Sequence, residues 1–135
     1  NIFSKEALNK AQKRKIHTLT SGYLENNNGK FDTFVKLPIA FQLAPINSMS
    51  EITIQDKKHL LISGNSEKTS NYHGNYNSLK GILATSKSDY KFVNQFGIAP
   101  FKNQIKETAV IKMKGKNALL VVANNDSVKT YTFKN

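Results

Sequence analysis

Glu51-Ile52-Thr53-Ile54-Gln55-Asp56-Lys57-Lys58-His59-Leu60-Leu61-Ile62-Ser63 is the stretch that decides the fold. Residues 51–54 read as one short strand and residues 55–58 as a polar turn. Residues 59–63 read as a second strand. Its Leu60-Leu61-Ile62 run is apolar, short and bounded by turn residues, which suits a buried strand better than a helix.

The same grammar extends in both directions. Residues 79–85 and 90–93 form another expected hairpin around the polar residues 86–89. Toward the N-terminus, residues 18–25 run into Asn26-Asn27-Asn28-Gly29, and residues 31–37 follow. Asn-Gly supplies the positive φ angles of a tight turn, so these two strands read as a hairpin that Leu37-Pro38 ends. Toward the C-terminus, residues 108–113 and 118–123 pair across 114–117. Residues 128–133 alternate Val128, Thr130 and Thr132 against Lys129, Tyr131 and Phe133. Two polar stretches, residues 64–77 and 94–106, are the long loops. Only the first fifteen residues read as a helix. Ser4 is placed as its N-cap, Phe3 and Leu8 as a hydrophobic staple, and Lys13-Arg14-Lys15 near its C-terminus.

Short strands at a spacing of roughly ten residues are an all-β signal. Residues 51–93 hold four strands, close to the roughly 40–50 residues of a four-stranded propeller blade, and residues 107–133 hold three, as a terminal blade does when its missing strand comes from the other end of the ring. The expected architecture is a partial β-propeller of about two and a half antiparallel blades with a short N-terminal α-helix. Its divisions are residues 1–17 (helix and linker), 18–49 (outer hairpin of a preceding blade plus connection), 50–106 (four-stranded blade with a long loop) and 107–135 (three-stranded terminal blade). A ring needs about four blades at least. The chain therefore reads as a piece of a larger ring, or as a subunit whose blade edges pair with another chain.

Composition narrows the function classes. The chain has 135 residues, 20 Lys+Arg against 9 Asp+Glu, a formal net charge of +11 and no cysteine. Without cysteine there is no disulfide framework and no thiolate chemistry. No apolar run approaches the ~20 residues of a membrane helix. Arg14 is the only arginine, so the bidentate contacts that nucleic-acid recognition favours are nearly absent. The lysines are scattered and asparagines are many, a pattern that an A/T-rich coding sequence produces without any polyanion partner. The first residue is Asn1, and the chain reads as processed or trimmed from something longer.

Several motifs resemble the FG-GAP/VCBS-repeat β-propellers. Residues 23–31, with Asn26-Asn27-Asn28-Gly29-Lys30-Phe31, resemble that family's N-x-GDGxF turn. Leu37-Pro38, Gln42 and Pro45-Ile46 resemble its LP…AQ-x-SP stretch. Residues 60–65 resemble DLLLGGN, residues 73–81 resemble xGRYDAxxG, and Ala123-Asn124-Asn125-Asp126 resembles ARNND. The resemblance covers residues 2–133 and implies the C-terminal part of a propeller of the Bacteroidetes type, often found beside an ASPIC/UnbV domain. It also implies an exported protein: periplasmic, outer-membrane-associated or extracellular. The family's calcium loop is depleted here. Glu25, Asn26 and Asn28 are the candidate Ca²⁺ ligands, with one carboxylate followed by amides, and fewer charges bind a hard cation less well. The same segment also reads as a plain Asn-Gly hairpin. Asn75 and Ala123 stand where the family patterns have arginine.

Catalytic motifs are missing from the sequence. His17, His59 and His73 share no zinc-binding spacing, and His17 and His59 read as surface or edge residues. There is no G-x-S-x-G elbow and no phosphate-binding glycine loop. Tyr72, His73, Asn75, Tyr76 and Asn77 make the candidate ligand loop, since aromatic faces beside amides suit carbohydrate or peptide. The alternative is that both tyrosines pack on the neighbouring blade. Tyr23, Tyr90, Tyr131, Phe31, Phe92 and Phe133 read as blade packing. The expected function is a non-catalytic exported binding or scaffold module that contacts protein or glycan at the cell surface. The alternatives are a polyanion-binding domain working through its lysines, and an accessory domain of a larger enzyme.

Overall fold

The computed structural model describes residues 2–67, 69, 70, 72 and 74–133. The protein is mostly β, with three small antiparallel sheets and one short α-helix. The first sheet is a hairpin of β1 (Gly22–Asn27) and β2 (Lys30–Lys36). The second is a four-stranded meander of β3 (Ile46–Ile54), β4 (Lys57–Gly64), β5 (Ile82–Ala84) and β6 (Tyr90–Phe92). The third is a meander of β7 (Ile105–Met113), β8 (Lys116–Ala123) and β9 (Lys129–Thr132).

Each sheet begins with a hairpin closed by two residues, both at positive φ. The pairs are Asn28-Gly29 (54° and 89°), Gln55-Asp56 (51° and 58°) and Lys114-Gly115 (51° and 77°). Such primed turns match the right-handed twist of the strands they join.

The main core lies between the second and third sheets. Ile52 and Ile54 of β3, Leu61 of β4 and Leu83 of β5 face Ile105 of β7 and Leu119 and Val121 of β8. The sheets meet along β3 and β7. At that seam the contact is polar. Ser48 and Ser50 hydroxyls lie 2.9 and 2.8 Å from the buried Thr108 hydroxyl, and Asn47 Nδ2 donates to the Ile105 carbonyl at 3.2 Å. On the far side, toward β6 and β9, Val93, Ile98 and Phe101 from the connecting segment fill the space between the sheets. The other face of the second sheet is covered too. Ile62, Ile82 and Ala84 pack under Phe41 and Ala44, which a 3-10 turn (Ile39–Gln42) and its following residues deliver.

Asn65 ties these layers together. It is fully buried with φ of 82°. Its Oδ1 accepts from the Leu79 amide at 2.9 Å and its Nδ2 donates to the Asn103 carbonyl at 3.1 Å. Its own amide donates to the Pro45 carbonyl at 3.0 Å, and its carbonyl accepts from Asn47 Nδ2 at 2.7 Å. Gly64 beside it allows this close approach, because a Cβ there would sit 1.8 Å from the Pro45 oxygen.

Three expectations differ in extent. β3 begins at Ile46 rather than residue 51, because its leading half points serines, not apolar side chains, at the third sheet. β5 is only Ile82–Ala84, since the Leu79 amide is claimed by Asn65 and Gly81 has φ of 98°. The N-terminal helix, α1, is Lys5–Lys10 alone. Ser4 caps it by accepting from the Ala7 amide at 3.2 Å, but Phe3 and Leu8 are exposed and α1 buries nothing. Of the aromatic residues expected to pack, Tyr90, Phe92, Tyr131 and Phe133 lie against the two core clusters, while Tyr23 and Phe31 on the first hairpin are exposed.

Candidate functional site

The β3–β4 and β7–β8 turns come to the same end of the molecule, because β3 and β7 lie side by side and run the same way. Between them opens a cleft of about 1000 Å³. The second sheet contributes Ile54 and Gln55 from the turn region and Lys91 from β6. The third contributes Lys116 and Asn117 from β8 and Thr132 from the end of β9. The segment after β6 supplies Gln95, Phe96 and Gly97, the first two from the end of a 3-10 turn (Val93–Phe96) that Gly97 closes in the left-handed conformation. Phe96 and Phe133 pack inward on the main core, so the apolar part of the cleft is held by the core itself.

A smaller recess of about 180 Å³ shares Ile54, Gln55, Lys91 and Phe96 with this cleft. It adds His59, Lys57 and Asp89. His59 is buried rather than a surface residue, at 8% exposure. Its Nδ1 lies 2.9 Å from the Lys57 carbonyl and its ring meets Phe96 edge-on at 5.4 Å. Asp89 is engaged by the Thr85 hydroxyl and by Lys57 Nζ at 3.2 Å. Those bonds, the Thr85 hydroxyl first, hold its carboxyl below the usual range, and the more distant charge of Lys91 adds to them. Lys57 thereby has Asp89 as its ion-pair partner. Lys91 and Lys116 are in no ion pair among the described residues.

Gln55 stands out within the lining. It borders both recesses, and its backbone sits at φ of 51° although it is neither Gly, Asn nor Asp. Left-handed backbone at such a residue costs energy, and the two-residue turn imposes it here as it does on Lys114 at φ of 51° in the third sheet.

The loop expected to bind ligand lies elsewhere. Residues 65–78 leave the last residue of β4, whereas the cleft adjoins the first, about 25 Å away along eight residues of strand. Tyr72 is 96% exposed and packs on no neighbouring sheet. Tyr76 is half-exposed and is held by its backbone, which exchanges two hydrogen bonds with Ser66 at 2.7 and 2.9 Å. Asn75 and Asn77 are exposed, and His73 lies outside the described residues. Glu25, Asn26 and Asn28 sit in the first hairpin, where Asn26 Oδ1 accepts from the Gly29 amide at 2.8 Å and so serves the turn. Among the described residues no three His, Cys, Asp or Glu side chains gather as a metal site.

The sequence reading passed over Lys91, Gln95, Phe96, Lys116 and Asn117, which come from segments far apart in the chain. The one local signal was the Gln55-Asp56 turn, a two-residue hairpin loop without glycine. The chain matches no protein-family model, no curated protein and no solved structure.

Proposed function

We propose that this chain is a non-catalytic binding and scaffold module, with successive sheets arranged as blades of a propeller-like array and with ligand taken in the cleft at their turn end. The observation that carries this reading is the cleft's construction. Two successive sheets and their connecting segment each contribute polar side chains around an aromatic wall anchored in the core. Concave sites with a few convergent polar groups on an apolar frame are where proteins bind small and extended ligands.

The chemistry of the lining favours binding over catalysis. Its one carboxylate, Asp89, is occupied by Lys57 and Thr85, and its one histidine is buried with Nδ1 on a carbonyl. Acid–base work needs such groups within reach of a substrate proton. The blade reading is supported by the meander order in each sheet and by the coverage of the second sheet on both faces. The third sheet has its core side in Leu119 and Val121, and its opposite side carries Ala109, Ile111, Leu120 and Val122, all only half-buried. Two apolar faces are what a sheet with a neighbour on either side requires. The partners that fit are glycan or protein at the surface of the cell that exports it, in line with the FG-GAP/VCBS resemblance.

Amide NMR during titration with panels of oligosaccharides and peptides tests the reading. The expected result is shifts at Gln55, Gln95 and Asn117, unchanged ligand after incubation, and loss of binding in Phe96→Ala. Shifts confined to residues 69–78, or conversion of the ligand, would overturn it.

A further inference from the structure

Charge and composition in the cleft narrow the ligand further, and the step rests on the binding-module reading above. We propose that the cleft takes an acidic saccharide, with Lys91 from the second sheet and Lys116 from the third holding its carboxylate or sulfate. Three observations converge. First, the lining carries Lys57, Lys91 and Lys116 against Asp89 alone, and Asp89 is consumed by Lys57 and Thr85, so two ammonium groups are left for a ligand. Second, the remaining polar side chains of the cleft are neutral, the amides of Gln55, Gln95 and Asn117 and the Thr132 hydroxyl, each able to donate and accept, as a row of sugar hydroxyls demands. Third, Phe96 offers an apolar surface fixed against the core, which suits the C–H face of a sugar ring.

Nucleic acid fits less well. Single strands bind along a path of several aromatic side chains and a continuous basic groove. Here the two phenylalanines of the cleft, Phe96 and Phe133, are partly buried against the core, Phe96 edge-on to His59, and give no such path. Gln55 belongs to the same picture, because it borders both recesses, where a ligand spanning them would meet its amide.

The test is calorimetric titration of the whole chain with four probes: an oligogalacturonate hexamer, a heparin-derived hexasaccharide, maltohexaose and a short oligo-dT. The expected result is binding of at least one acidic sugar, no binding of maltohexaose, and weakening between about 50 and about 200 mM salt. Oligogalacturonate against heparin fragment tells a carboxylate ligand from a sulfated one. Lys91→Gln and Lys116→Gln are each expected to weaken binding by about tenfold and flatten the salt dependence, with Tm unchanged. Lys13→Gln, outside the cleft, leaves it as it was. Equal binding of maltohexaose at the cleft overturns the acidic ligand while leaving the binding module standing. Acidic-sugar binding that neither lysine variant weakens, oligo-dT binding of equal strength that survives Phe96→Ala, or no binding of any probe also overturns it.

Discussion

Asn65 shows how one residue, through its side chain and its backbone, can hold three segments that are distant in the chain. Four of its polar groups are engaged, and the partners (Pro45, Asn47, Leu79 and Asn103) belong to the approach to β3, β3 itself, the approach to β5 and the approach to β7. Buried amides that lose a partner carry the full desolvation penalty. Asn65→Ala strands the Leu79 amide and the Asn103 carbonyl, and it puts alanine at a φ of 82°. The expected loss is about 3 kcal/mol, seen as a fall in thermal midpoint of roughly 10 °C. A fall of under a few degrees would mean that solvent replaces these bonds. In the sequence this residue was legible only as the last position of the Leu60–Asn65 motif. Nothing local distinguishes a buried asparagine from the many exposed ones.

At the scale of elements, the turns set the registers. Asn28-Gly29 and Lys114-Gly115 end in glycine, but Gln55-Asp56 does not, and both of its residues are left-handed. Replacing Gln55-Asp56 by Asn-Gly is expected to raise stability by roughly 1 kcal/mol in chemical denaturation, because that pair suits a primed turn without strain. A loss of stability instead would show that contacts of the native side chains outweigh the strain. The hairpins themselves were readable from alternation and turn residues. Their extents were not, and β3 is the clearest case. Ser48 and Ser50 look like surface residues in a sequence, yet they face Thr108 across the seam between sheets. A polar contact between layers hides the very periodicity that marks a strand.

For the molecule as a whole, net positive charge coexists with three well hydrogen-bonded carboxylates, Asp89, Glu107 and Asp126. The Thr108 amide and the Ser48 hydroxyl lower the Glu107 carboxyl, the Thr85 hydroxyl and then Lys57 lower Asp89, and Lys129 with the Ser127 amide lowers Asp126. A lowered carboxyl contributes stability that is complete above the ordinary carboxylate range and is lost as pH falls through the folded value. Thermal midpoints are therefore expected to stay level from pH about 7 to about 5 and to drop below about 4. Glu107→Gln should shrink that drop. An unchanged acid limb in this variant would show that Glu107 contributes nothing to it. The candidate site belongs to this scale as well. The candidate loop at residues 72–77 is legible in the sequence because its aromatic and amide residues are contiguous. The cleft is assembled from residues 54–55, 91, 95–97, 116–117 and 132–133, and no window of sequence contains them together.

The sequence by itself determined that the chain is all-β, where most strands fall, that Asn-Gly closes the first hairpin, and that cysteine chemistry has no place here. Those features depend on neighbours in the chain, through side-chain alternation and local φ preferences. Only the tertiary structure decided that Ser48, Ser50 and Thr108 form a seam, that Asn65 is a buried tie, that His59 is inside, and that two lysines in no ion pair among the described residues flank one cleft. These depend on how one sheet packs on the next, and that packing joins residues about 60 positions apart for the same physical reason throughout. Apolar faces must be covered, and the polar groups caught in between must find partners.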